Sequence, residues 1–99
     1  MKTREEIISI LSSNLDRIKK EYNVEKIGLF GSVIRSEQSE VSDVDILVEF
    51  SRATGMVKFL RLESTLQDLL GAKVDLVTRA ALKKYIGQQI LNEIYYVSQ

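Results

Sequence analysis

Apolar side chains recur at Ile7, Ile8, Leu11, Leu15, Ile18 and Tyr22, the three-to-four spacing of one helix face. Thr3 followed by Glu6 has the form of a capping box, so this periodicity predicts a helix over about residues 4–22. Asn23 breaks the pattern. Val24 to Phe30 is rich in β-branched and aromatic residues and stops at Gly31, as a strand does. Gly31-Ser32 punctuates the chain, Val33 to Arg35 has room for one or two helical turns, and Ser36 to Ser42 is a polar loop. Asp43 to Phe50 alternates cleanly, with Val44, Ile46, Val48 and Phe50 on one face and Asp43, Asp45, Leu47 and Glu49 on the other. A turn over Ser51 to Gly55 leads to Phe59, Leu62, Leu66 and Leu69 at helical period, and Gly71 ends that helix as a natural C-terminal cap. Lys73 to Thr78 reads as a further strand. Ala80 to about Tyr95 places Leu82, Ile86, Ile90 and Ile94 on one stripe, predicting a last helix interrupted only by Gly87.

Strands separated by helices indicate an α/β or α+β domain, a small mixed sheet of about three or more strands flanked by helices. At 99 residues the chain is read as one domain spanning 1–99. Its 14 basic and 14 acidic residues cancel, which argues against a protein that coats nucleic acid electrostatically. Histidine and cysteine are both absent. Disulfides, thiol nucleophiles, His-based triads and Cys/His zinc sites are thereby excluded, and any metal must be held by oxygen. No apolar run is long enough for a membrane span and the N-terminus lacks a signal-peptide core, so the expected location is the cytoplasm.

Candidate chemistry gathers on Gly31-Ser32, Asp43-x-Asp45 and Asp75. Residues two apart on a strand share a face roughly 6 to 7 Å apart, so Asp43 and Asp45 present two carboxylates together. Asp75 lies opposite Val74 and Leu76 in its own strand, and pairing the two strands brings the third carboxylate to the first two. Such crowding of like charge is tolerated where cations occupy the site, and all-oxygen ligands select hard ions, Mg2+ first. Between a strand and a helix start, Gly31-Ser32 is a phosphate seat, with free N–H groups pointing outward. A phosphate seat beside a carboxylate-held metal pair suggests a bound nucleoside triphosphate, its outer phosphates held by backbone N–H groups and the Ser32 hydroxyl. In this reading Asp43 and Asp45 bridge two ions and Asp75 serves the ion that activates the attacking hydroxyl. Arg35 either reaches the phosphates or pairs with an acidic loop residue. Taken singly, each feature has an ordinary structural use: a D-x-D as surface, Gly-Ser as a turn, Asp75 as an edge-strand charge. Their joint order along the chain tips the balance. Tyr85, Tyr95 and Tyr96 are expected in packing or an interface and not in base stacking.

Gly31-Ser32, ten residues and then Asp43-Val-Asp45 resemble the G-S-x10-D-x-D motif of the nucleotidyltransferase superfamily that includes DNA polymerase beta. Phe30-Gly-Ser-Val-Ile-Arg35, Ser42-Asp-Val-Asp-Ile-Leu-Val48 and Lys73-Val-Asp-Leu-Val-Thr78 look like its minimal nucleotidyltransferase (MNT) branch, and the similarity runs from about Arg4 to Val97. The resemblance implies a polymerase-beta-like core, Mg2+, and nucleotidyl transfer from ATP, with Ser32 on phosphate, Asp43 and Asp45 on metal and Asp75 as the third carboxylate. It also implies a small all-helical HEPN ribonuclease as partner in a hetero-oligomer, this chain acting as antitoxin by moving AMP to a tyrosine of that toxin. Two other readings stand beside it: an interaction subunit that neutralises its partner by binding alone, and a transferase acting on a small molecule or nucleic acid end.

Overall fold

The computed structural model describes residues 3–31, 34, 43–86 and 93–98. Helix α1 (Arg4–Tyr22) starts where the sequence places it: Thr3 Oγ1 accepts the Glu6 backbone N–H at 3.1 Å, and the Glu6 carboxylate accepts the Thr3 N–H in return. It ends at Asn23, a left-handed residue with φ 58°. Strands β1 (Val24–Phe30) and β2 (Val44–Phe50) follow, then α2 (Met56–Leu70), β3 (Val74–Thr78), α3 (Arg79–Ile86) and a two-residue strand β4 (Tyr95–Tyr96). Ile34 is helical and packs on the core, while the rest of the short helix expected over Val33 to Arg35 and the loop after it lie outside the described residues.

The four strands form one mixed sheet in the order β3-β2-β1-β4. β1 pairs antiparallel with both β2 and β4, whereas β2 and β3 are parallel and joined through α2. Parallel neighbours need such a crossover, and the helix period of Met56 to Leu70 supplies it.

One face of the sheet is closed. Ile27 and Leu29 of β1, Val44, Ile46 and Val48 of β2, and Val74 and Leu76 of β3 meet Ile7, Leu11, Leu15 and Ile18 of α1 and Leu62, Leu66 and Leu70 of α2 in a continuous buried cluster. Across the sheet, α3 places Leu82 against Phe30 and Leu47, a smaller cluster over the middle of the opposite face.

The last helix, expected to run to about Tyr95, is described over Arg79–Ile86, and residues 87–92 lie outside the described residues. It does not include Tyr95: Tyr95–Tyr96 pair with Leu29 and Gly28 as a fourth strand. Aromatic residues favour a pleated surface, and Gly28 makes room for this one: a Cβ there would stand 2.5 Å from the Ile94 Cγ2 and 3.4 Å from Tyr96 Cδ1.

Candidate active site

Strand polarity brings separate parts of the sequence to one end of the sheet. β1 finishes there at Phe30, β2 begins there at Val44 immediately after Asp43, and parallel β3 begins beside it, with the Val44 N–H donating to the Lys73 carbonyl at 2.9 Å. In register, Asp45 stands opposite Phe30 on one side and Asp75 on the other. Because Val44, Ile46, Val74 and Leu76 face the closed side, Asp43, Asp45 and Asp75 belong to the opposite face. Asp43 and Asp45 are half-buried and Asp75 is exposed.

Gly31 is buried at this end with φ +70°, the left-handed region that favours glycine. A Cβ built on it would run into the carboxylate of Asp45. The backbone after β1 is therefore held directly against an acidic side chain, an approach that no other residue type permits. Ser32 and Arg35, the other two residues expected to handle phosphate, lie outside the described residues.

The pairing of Asp45 with Asp75 and the seating of Gly31 on Asp45 are what the described residues bring together. Among them, no three acidic side chains are gathered tightly enough to enclose one cation. The donor chemistry at this end is nonetheless of one kind, carboxylate oxygen, which suits a hard divalent ion over a soft one.

Beyond Leu82, Phe30 and Leu47, the far end of the same face carries a polar group that the sequence reading did not single out. The Tyr96 hydroxyl donates to Glu49 Oε2 at 3.0 Å, and Arg79 Nη1 lies 3.5 Å from the same oxygen. Lys26 Nζ sits over the Tyr96 ring, 5.4 Å from its centroid, and Arg4 sits over Tyr95 at 5.9 Å. Partial burial, together with the bond to Glu49, raises the Tyr96 hydroxyl above its ordinary pKa of 10.0. The two tyrosines are exposed and carry cation contacts; the side chain of Tyr85 lies outside the described residues. Alternation along β2 puts Glu49 on the Asp45 face, but only the missed strand β4 brings Tyr96 to it.

The fold is thus a small mixed sheet with helices on both sides, carrying carboxylates beside a strand-end glycine. A family model described as "Polymerase beta, Nucleotidyltransferase" matches residues 5–98, and the chain belongs to this family of nucleotidyltransferases. It is 45% identical over 97 residues to the protein adenylyltransferase MntA of Thermococcus cleftensis, covering 98% of each chain. A solved structure assigned as a minimal nucleotidyltransferase shares 30% identity and a TM-score of 0.71, over 89% of this chain and 93% of that one. The fold also recurs in a solved complex of tri-AMPylated Shewanella oneidensis HEPN toxin with MNT antitoxin. There the TM-score is 0.63 at 20% identity, over 91% of this chain and 71% of that one.

Proposed function

We propose that this chain is a Mg2+-dependent protein adenylyltransferase that moves AMP from ATP to a tyrosine of a HEPN-type toxin, and so acts as its antitoxin. The observation that carries the reading is the end of the sheet where Gly31 is seated against Asp45 and Asp45 stands beside Asp75. The full-length similarity to a named protein adenylyltransferase supports the reaction, and the likeness in fold to an MNT antitoxin complex supports the partner.

In this reading Asp43, Asp45 and Asp75 would hold two Mg2+ ions, which would offset the negative charge of the triphosphate. Without a side chain at Gly31, the Asp45 carboxylate sits close against the end of β1, where Ser32 and Arg35 would supply the phosphate contacts. The acceptor phenol oxygen forms a bond to the α-phosphorus as the bond to the β-phosphate oxygen breaks and pyrophosphate leaves. The phenol proton passes to solvent water on the Asp75 side, the exposed edge of the sheet. Residues 1–99 are read as a single minimal nucleotidyltransferase domain, and the partner brings its own hydroxyl to the site. Cytoplasmic location fits this role; among the described residues, no helix is long and apolar enough to cross a membrane. Nucleic acid plays no part as acceptor.

Incubation with Mg2+, labelled ATP and the HEPN partner tests the proposal. The partner gains covalent AMP, and Asp43→Asn, Asp45→Asn and Asp75→Asn each abolish the label in folded protein. Tight inhibition of the partner with no added mass, unchanged by all three substitutions, establishes the non-catalytic interaction subunit instead.

A further inference from the structure

β2 runs away from the carboxylates, so α2 begins at the opposite end of the molecule, beside the last turn of α1. Three large apolar side chains stand in solvent there: Met56, Val57 and Leu60 are 68%, 67% and 52% exposed. Among the described residues the other exposed large hydrophobics are Tyr95 and Tyr96, which carry Arg4 and Lys26 over their rings. Next to Met56 and Leu60 lies a groove of about 570 Å³ lined by Glu21, Tyr22, Gly55, Val57, Lys58 and Arg61. Gly55 leaves its floor open, with nothing within 4 Å of where a Cβ would be. Its walls are fixed. Tyr22 Oη and Thr65 Oγ1 share a hydrogen bond of 2.7 Å across the two helices. The Ser51 N–H and the Arg52 guanidinium donate to the Asn23 carbonyl and side chain at 2.8 and 2.9 Å.

An apolar ridge beside an open groove on one helix is the shape that a two-fold axis pairs with itself, each ridge entering the other's groove. The charges agree. Glu21 contributes one sign to the groove and Lys58 and Arg61 the other, and none of the three has an ion-pair partner among the described residues. An acidic partner would meet Glu21 with like charge and a basic partner would meet Lys58 and Arg61, whereas a second copy sets Glu21 of each chain against the basic pair of the other. We propose that the chain self-associates back to back through this ridge and groove, leaving both carboxylate ends facing outward. Three exposed side chains and one groove make a contact at the small end for specific interfaces, so the dimer forms with rising concentration and weakens with salt.

Sedimentation velocity across a hundredfold range of protein concentration reads this directly and does not depend on catalysis. The expected result is a monomer–dimer equilibrium that Leu60→Asp abolishes, with Met56→Glu doing the same if the first variant melts early. Glu21→Arg and Arg61→Glu should each weaken the dimer at least tenfold, and the two together restore it. A chain that stays monomeric at every concentration, a dimer indifferent to Leu60→Asp, or a double charge reversal that fails to recover association overturns the proposal.

Discussion

The same three long strands build two unlike faces. On one, the fully buried positions are all aliphatic and two long helices close over them, and among the described residues no polar side chain is buried. On the other, among the described residues, α3 covers the middle and charged residues stand at both ends: Asp45 and Asp75 at one, Glu49 and Arg79 at the other. The closed face carries most of the burial that removes apolar surface from water, and the other carries the carboxylates of the proposed site beside its smaller cluster.

The sharpest way to break this division is to open the closed face. Leu66 is fully buried between α2 and the sheet, and Leu66→Ala should cost about 2–5 kcal/mol in urea unfolding, a large share of the ~5–15 kcal/mol a domain possesses. A smaller effect, straddling both faces, is expected at Gly31. Gly31→Ala must hold a left-handed backbone at a cost of about 1–2 kcal/mol and push the Asp45 carboxylate aside, so thermal melting falls and AMP transfer falls further. Thr3→Ala removes one half of the reciprocal cap on α1 and should cost about 1 kcal/mol without touching transfer.

The open face should yield smaller stability effects. Tyr96 holds its proton more tightly folded than unfolded, so its contribution is complete below the ordinary value of 10.0 and is lost as pH rises through the higher folded value. Melting temperature followed across the alkaline range should therefore fall less steeply for Tyr96→Phe than for the parent. Least of all, Asp75→Asn, at an exposed position, should leave unfolding within about 0.5 kcal/mol of the parent while removing the proposed transfer. A large loss of stability there would place Asp75 among the structural residues.

The closed face was almost wholly legible, because the spacing of Ile7, Leu11, Leu15 and Ile18 and the alternation of Val44, Ile46 and Val48 are direct records of burial. The caps were equally readable, Thr3 with Glu6 and Gly71 each declaring a helix end through local chemistry. β4 was not, since two residues carry no period and Ile94 fits a helical stripe as well as a strand flank. At the site, alternation puts Asp43, Asp45 and Asp75 on one side, but the alignment of Asp45 with Asp75 depends on the register of two strands joined through a helix. The pressure of Gly31 on Asp45 likewise arises between segments far apart in sequence, where no local rule reaches.

That distance in sequence governs when the site comes into being. Gly31 and Asp45 leave the ribosome well before Asp75, and the parallel pairing of β2 with β3 needs the chain through Thr78. Such non-local closure is slow and is rewarded only when the intervening helix is already packed. A growing chain is thus without the carboxylate end of its sheet, the proposed site, until β3 has been made, and any fragment that stops before β3 lacks that end however well α1 and β1 have folded.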